Sequence, residues 1–251
     1  MNLFYRELGE GEPLIILHGL FGSSDNWYSL SKVFAEHFHV YVIDQRNHGQ
    51  SPHTEDIDYR LLADDLGDFI KQHNIKSPSV IGHSMGGKAA MNFAVKMPTV
   101  ISKLVVVDMV PKAYPVHHDA ILSGLQAIDL SKISSRGEAD EQLKAFVPDA
   151  GVRQFLLKNL ARDEHKNLEW RINIPVIAKN IEALGADIHY DEQFTHPTLF
   201  VMGSKSEYFA KGDEAIIEKY FPNASIIVLE TGHWVQAEKP EEFAKTVMDF
   251  L

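Results

Sequence analysis

The sequence predicts an α/β fold in which a mostly parallel sheet is covered by helices on both faces. The first observation is that short apolar runs, typical of fully buried strands, alternate with segments of helical period. The second is that this rhythm stops at about residue 111 and resumes at about residue 195. One domain spanning residues 1–251, interrupted by a single insertion, accounts for both observations.

The predicted strands are apolar runs bounded by turn residues. The first two are joined by the turn Gly9-Glu10-Gly11, and most of the later runs are rich in valine, isoleucine and leucine. We predict strands at Leu3–Leu8, Pro13–Leu17, Val40–Asp44, 79–82, Lys103–Asp108, Pro197–Gly203 and Ser225–Leu229.

The predicted core helices have either an apolar stripe or a defined end. Polar residues before Trp27 can cap the first helix, apolar residues recur at helical spacing in the second, and Pro98 ends the third. We predict helices at Trp27–His37, Asp58–Asn74, Lys88–Met97, Asp213–Tyr220 and Pro240–Leu251.

Residues 111–195 are predicted to form a helical cap insertion. Few strand-like runs occur there, whereas amphipathic segments do. Ligands of open α/β sheets bind at the carboxyl edge of the strands, so we expect the cap to cover that edge. The predicted cap helices are Asp119–Ile128, Glu138–Phe146, Val152–Leu160 and Pro175–Leu184.

Composition excludes several classes of function. The chain has no cysteine, which removes disulfides, thiolate metal sites and a cysteine nucleophile. Its net charge of −11 and its lack of a basic cluster argue against a nucleic-acid partner. No apolar run approaches the roughly 20 residues that span a bilayer, and no export signal is visible. We therefore expect a cytoplasmic protein without a membrane partner; the oligomeric state has no signal in the sequence.

The pentad Gly82-His83-Ser84-Met85-Gly86 marks Ser84 as the candidate nucleophile. An apolar run precedes it and a small-residue helical segment follows, which is the strand, turn and helix context of a nucleophile elbow. Residues two before and two after the serine must lack bulk in such a turn, and both are glycine. A glycine-rich turn with an incidental serine is the structural alternative.

Two backbone N–H groups are predicted to form an oxyanion hole. The helix after the elbow directs its free N–H groups at the turn, and the N–H of Met85 is the first donor. The glycine-rich loop that begins at His18 follows a strand, and we predict Leu20 as the second donor, with Phe21 next.

His233 is the candidate general base. A serine hydroxyl needs a base at neutral pH, and that base needs a third group to fix its tautomer. His233 lies on a loop after the last strand, beside Gly232. His117 and His118 lie in the cap at no spacing that suggests a metal site, and we predict no metal.

Together, the His18–Gly22 loop, the Asp44–Ser51 turn, the serine pentad and Gly232-His233-Trp234 resemble the α/β-hydrolase superfamily. More narrowly, the chain resembles the small bacterial YbfF-type esterases. The resemblance implies an eight-stranded, mostly parallel sheet and hydrolysis of acyl esters.

The position of the acid departs from the common pattern of this superfamily. Many members carry an Asp in a Gly-x-x-Asp turn after the penultimate strand, whereas this chain has Ser206 there. Asp108 and Glu207 are the two substitutes. Asp108 ends the strand after the nucleophile strand and the YbfF-type resemblance also points to it, so it is preferred.

The predicted reaction is two-step acyl transfer by Ser84, His233 and Asp108 without a metal or cofactor. An apolar pocket for an acyl chain is expected from the residues that flank these groups: Phe21, Met85, Met109, Tyr208 and Trp234. Because a cap restricts bulk, we expect a small acyl ester substrate of short or medium chain length. A thioesterase, a carbon–carbon hydrolase, a perhydrolase and a non-enzymatic ligand-binding protein are the alternatives.

Overall fold

The fold is a three-layer α/β arrangement with an inserted cap, seen in a computed structural model that describes residues 1–115 and 118–251. The histidine at position 117 lies outside the described residues. The core strands are β1 (Tyr5–Leu8), β2 (Glu12–Leu17), β3 (Phe38–Ile43), β4 (Ser79–His83) and β5 (Lys103–Val107). The core helices among them are α1 (Tyr28–Phe34), α2 (Tyr59–Gln72) and α3 (Met85–Lys96).

The cap and the C-terminal part of the core follow in chain order. The cap contains α4 (Asp119–Ala127), α5 (Arg136–Leu143), α6 (Ala150–Leu157), the strands β6 (Leu160–Arg162) and β7 (Leu168–Trp170), and α7 (Ile174–Gly185). The core resumes with β8 (Thr198–Gly203), α8 (Glu214–Tyr220), β9 (Ala224–Leu229), α9 (Val235–Glu238) and α10 (Pro240–Phe250).

One seven-stranded sheet carries the domain, in the order β1-β3-β2-β4-β5-β8-β9. Strand β1 is antiparallel to β3, and the other neighbours are parallel. Alternate residues point to opposite faces: Ile15 and Leu17 pack on the side of α2 and α3, whereas Leu14 and Ile16 pack on the side of α1 and α10. Parallel pairing places the carboxyl ends of β4, β5 and β8 at one edge.

The resemblance implied eight strands, and that number is wrong for residues 1–115 and 118–251. The sheet ends at β1 and at β9, and neither edge pairs with a further strand among these residues. The apolar runs that predicted strands from the sequence account for all seven. An eighth strand would need another such run in the core, which the sequence does not contain.

The described residues of the cap form four α-helices and one β-hairpin, and the sequence did not predict the hairpin. Its helices share a separate apolar cluster with the core residue Phe21. Strands β6 and β7 pair antiparallel, with Leu160 opposite Trp170. No helix of the described ranges is long and apolar enough to cross a membrane.

Lys88 joins the cap to the core. Its side chain is fully buried on α3, and its Nζ donates a 2.9 Å hydrogen bond to the carbonyl of Ala186 at the end of α7. The rings of Tyr59 and Tyr114 lie 5.3 and 5.0 Å from the amine. Burial lowers the pKa of Lys88 to about 8, so this contact is a hydrogen bond from an amine that remains largely protonated at neutral pH.

Candidate active site

Ser84 lies on a strained elbow between β4 and α3. Its backbone has φ 53° and ψ −118°, a conformation that non-glycine residues seldom adopt. Its N–H donates to Val107 O at 3.0 Å, and its carbonyl accepts from Lys88 N at 3.0 Å. The surrounding bonds therefore hold the elbow in place.

The two glycines of the pentad are required by close backbone contacts. A Cβ at Gly82 would lie 2.3 Å from Gly86 O, and a Cβ at Gly86 would lie 2.6 Å from His18 O. Both distances are far below normal contact, so a side chain at Gly82 would push the first turn of α3 away from β4, and one at Gly86 would push it away from the end of β2 and the loop that follows. This supplies the physical reason for the Gly-x-Ser-x-Gly spacing.

The N–H groups of Leu20 and Met85 are the two predicted oxyanion donors. Within residues 1–115 and 118–251, neither donates a hydrogen bond to another protein group. The sequence also offered the N–H of Phe21 as the next choice of donor from this loop. That expectation is wrong, because this N–H donates to His48 Nε2 at 3.2 Å. That bond leaves Leu20 as the donor available from this loop.

Two buried histidines, His18 and His48, fix the loop of residues 18–22. His18 Nδ1–H donates to Gly19 O at 2.8 Å, and its Nε2 accepts from Gln45 N at 3.0 Å. His48 Nδ1–H donates to Arg46 O at 2.9 Å while its Nε2 accepts from Phe21. Each ring is thus a neutral Nδ1–H tautomer with no site for a second proton. Desolvation lowers the pKa of His18 to about 4 and that of His48 to about 3.

These histidines make the fold sensitive to acid. Below the unfolded-state pKa of about 6.5 the unfolded chain binds protons that the folded chain excludes, so stability falls as pH decreases from 6.5 toward 4. Each histidine contributes up to about 1.4 kcal/mol per pH unit to this slope. His48→Gln is expected to flatten the slope in urea unfolding measured between pH 7 and 4.5. The exposed His165→Gln is the control, and equal slopes for both variants would contradict the prediction.

Asp108 and His233 are in direct contact. The His233 Nδ1 lies 2.6 Å from Asp108 Oδ2, and the carboxylate is completely buried at the end of β5. Gly203 N–H donates to the other oxygen, Oδ1, at 2.9 Å. The hydroxyl of Ser206 also donates to Oδ2. Three donors therefore hold the carboxylate in one orientation, and Asp108 itself has φ 48°.

Ser206, in the position where many superfamily members have their acid, donates a hydrogen bond to Asp108. Ser206 lies after β8, where many superfamily members have the aspartate, and its hydroxyl and the His233 ring share one oxygen of Asp108. Glu207 is exposed, and within the described parts of the chain it has no hydrogen bond to His233. The geometry favours Asp108 over Glu207 as the partner of the imidazole.

His83 and Tyr208 hold the His233 loop, a role that the sequence did not indicate. His83 Nε2–H donates to the backbone carbonyl of His233 at 3.0 Å. Burial lowers the pKa of His83 well below its ordinary value, so the ring stays neutral and donates. Tyr208 stacks on the His233 ring with centroids 4.0 Å apart and planes at 19°. The position of His83 in the pentad, directly before Ser84, was the sequence signal available for its contact with the His233 loop.

Ser84 and His233 line the same small cavity, of about 70 Å³, here called the central cavity. No hydrogen bond joins the Ser84 hydroxyl to the imidazole among the described residues. Such bonds are often long before substrate binds. The predicted pocket residues Phe21, Tyr208 and Trp234 line this cavity as well.

Two further spaces adjoin the central cavity. The tyrosine cavity, about 50 Å³, shares Leu20, Ser84 and Tyr208 with it and is lined also by Tyr59, Met85, Met109, Tyr114, Ile181 and Leu184. The Trp234 groove, about 300 Å³, shares Gly19, His83, Phe155 and Trp234 with the central cavity and extends between α6 and α9. In the part of the chain described, no three His, Asp or Glu side chains cluster as a metal site would require.

A serine on a tight strand-to-helix turn, at the carboxyl edge of a mostly parallel sheet, is typical of the α/β-hydrolase fold. The family model described as the alpha/beta hydrolase fold matches residues 12–240, and the chain belongs to this family.

Named relatives narrow the class to carboxylic-ester hydrolases, and this protein is an enzyme of that kind. The sn-1-specific diacylglycerol lipase ABHD11 of Danio rerio is 36% identical over 252 residues, covering 97% of this chain and 79% of the relative. Esterase YbfF of Escherichia coli (strain K12) is 33% identical over 243 residues, covering 95% and 92%. A solved marine microorganism esterase has a TM-score of 0.96 and 42% identity, covering 99% of both chains. The resemblance to YbfF-type esterases is confirmed.

Proposed function

We propose that this enzyme hydrolyses esters of short to medium acyl chains through Ser84, His233 and Asp108. The observation that carries the proposal is the 2.6 Å contact between His233 Nδ1 and Asp108 Oδ2, on a ring whose cavity also contains Ser84. The carboxylate fixes the tautomer in which Nε2 is unprotonated and available as a base. The printed names of the diacylglycerol lipase and the esterase support ester hydrolysis.

In the proposed reaction His233 takes the proton of Ser84 as Oγ attacks the ester carbonyl. The N–H groups of Leu20 and Met85 receive the oxyanion, which is a large term in acyl transfer because both donors are oriented before reaction. Protonated His233 then gives its proton to the leaving alcohol. Water attacks the acyl-enzyme by the same steps in reverse order, and the free serine is restored.

A fluorophosphonate probe tests the nucleophile directly. Folded wild-type protein is expected to react once, at Ser84, as identified by mass spectrometry of the labelled peptide. Ser84→Ala is expected to remain unlabelled. Labelling of another residue, or failure of wild type to react, would contradict the proposal.

The acyl chain is assigned to the tyrosine cavity. This space borders Ser84 and the Met85 N–H, and about 50 Å³ corresponds to roughly four water-sized volumes. A butanoyl group is therefore expected to be near the upper limit for full occupancy. Methyl esters of increasing acyl length should show kcat/KM falling beyond this length.

Ile181→Ala should extend that limit. Ile181 lines the tyrosine cavity from α7, and each methylene newly accommodated adds about 0.8 kcal/mol of binding, so octanoyl relative to butanoyl kcat/KM should rise on the order of tenfold. Ile177→Ala is the matched control, because Ile177 is buried on the same helix and in the same cap cluster but does not line the tyrosine cavity. An unchanged ratio in Ile181→Ala would remove the acyl chain from this cavity.

The same mechanism would also cleave thioesters. Comparing kcat/KM for p-nitrophenyl butanoate and butanoyl coenzyme A decides the preferred class. Faster turnover of the thioester would change the proposed substrate but leave the roles of Ser84 and His233 as they are.

A further inference from the structure

The Trp234 groove has no part in the reaction as described so far. It is about six times larger than the tyrosine cavity, at about 300 Å³ against about 50 Å³. The groove adjoins the central cavity at Gly19, His83, Phe155 and Trp234, and the rings of Phe155 and Trp234 lie 5.5 Å apart where the two spaces meet. It is therefore next to the space that Ser84 and His233 line.

The position of the imidazole decides which half of an ester faces this groove. In the acylation step, His233 must protonate the leaving oxygen, so that oxygen has to lie beside the ring. His233 lines the central cavity, and it does not line the tyrosine cavity, which begins on the Met85 side of Ser84. Tyr208 covers one face of the ring and lines the tyrosine cavity itself. The Trp234 groove adjoins the central cavity at His83, Phe155 and Trp234, away from the tyrosine cavity.

We propose that the Trp234 groove binds the alcohol half of the ester, and that the preferred substrates join a short acyl group to a long or ring-bearing apolar alcohol. The inference rests on the proposed function, since it uses Ser84 and His233 as the reacting pair. Three aromatic side chains line the groove, Trp27, Phe155 and Trp234, and polar side chains such as Gln154 and Lys158 line it as well.

By microscopic reversibility the groove also receives alcohols as acceptors. An alcohol bound there attacks the acyl carbon of the acyl-enzyme, its proton passes to His233, and the bond from the acyl carbon to Ser84 Oγ breaks. The proton then returns to Ser84 Oγ. The products are a new ester and free enzyme, with no other reactant consumed.

Acetate esters of straight-chain alcohols test the groove, because ethanol and hexanol are similar leaving groups and differ mainly in apolar length. Complete burial of one methylene is worth up to roughly a fourfold increase in kcat/KM, so hexyl acetate should exceed ethyl acetate by at least about tenfold. A ratio of one or less would overturn the proposal. Loss of the hexyl preference with Ser84-dependent hydrolysis retained would reject the groove alone, whereas activity in Ser84→Ala would reject the proposed function.

Gln154→Trp should fill the groove, because Gln154 is an exposed residue of α6 that lines it. We expect the ratio of kcat/KM for hexyl acetate to that for ethyl acetate to fall toward one, through loss of the added rate for the longer alcohol. Gln142→Trp, the same substitution at an exposed position of α5 outside the groove, should keep the wild-type ratio. A wild-type ratio in folded Gln154→Trp would overturn the proposal.

A measurement on wild-type protein alone completes the test. With p-nitrophenyl acetate as donor, nitrophenol counts all turnovers and acetate counts hydrolysis, so the difference gives transfer to an added alcohol. Hexanol should divert the acyl-enzyme at least about tenfold more effectively per mole than ethanol. Equal partition for the two alcohols would show that no alcohol site exists in the groove.

Discussion

Replacing Ser84 with alanine is expected to lower kcat for a p-nitrophenyl ester by about a million-fold, the size of loss known for a comparable triad. His233→Ala should cost nearly as much. Without the imidazole the serine hydroxyl stays protonated at neutral pH, and without the serine the imidazole has no nucleophile to activate. Steady-state rates with p-nitrophenyl butanoate measure both effects.

The double variant makes this prediction sharper. Because Ser84 and His233 act in one step, Ser84→Ala/His233→Ala should be little slower than either single variant, so the losses should not add. The exposed residues Ser225 and His165, each changed to alanine, are the controls and should retain wild-type rates. Losses that add in free energy would mean that the two side chains work independently.

Asp108→Asn is expected to lower kcat by about ten-thousand-fold, the size of loss known for the equivalent change in a comparable triad. The side-chain amide introduced at position 108 would donate a hydrogen bond to His233 Nδ1. The imidazole can accept this bond only in the tautomer that carries its proton on Nε2. The ring could then no longer act as a base. Glu207→Gln should change kcat by less than about twofold, because Glu207 is exposed and makes no bond to the imidazole in the residues described.

Ser206→Asp offers a test of where the acid can lie. Since the Ser206 hydroxyl and His233 Nδ1 bind the same oxygen of Asp108, an aspartate at position 206 lies within reach of the imidazole. Adding this change to Asp108→Asn should restore part of the lost kcat.

If Glu207→Gln reduced kcat as severely as Asp108→Asn does, Glu207 would instead be the acid.

The core of the fold could be predicted because its signals are local. Most core strands are runs of apolar residues, although β1 contains Arg6 and Glu7, and the helical stripe of α2 can be read directly from its spacing. The hairpin of β6 and β7 could not be predicted, because each strand has three residues and neither shows alternation over a useful length. Helix α3 begins at Met85 rather than Lys88, since two glycines hide its first turn in the sequence.

The candidate site was predictable where a motif specifies it and not where distant groups meet. Ser84, His233 and Asp108 were found from motifs and strand ends, and their catalytic roles stay predictions. The bond from Phe21 N–H to His48 joins residues 27 positions apart, and no local pattern reports it. Ser206 was visible as a departure from the usual acid turn, but its bond to Asp108 depends on the neighbouring positions of β5 and β8.

The amine of Lys88 has a consequence for how substrate gains entry. Lys88 lies on α3, four residues after Ser84, and its Nζ donates a hydrogen bond to the carbonyl of Ala186 at the end of α7. We therefore expect α3 and α7 to move together. If α7 moved away from the core, the buried ammonium of Lys88 would lose its carbonyl partner, which is unfavourable. We therefore expect the cap to open by rotation about this contact. Helices α4 and α6 would move away from the core, while α7 would stay in place.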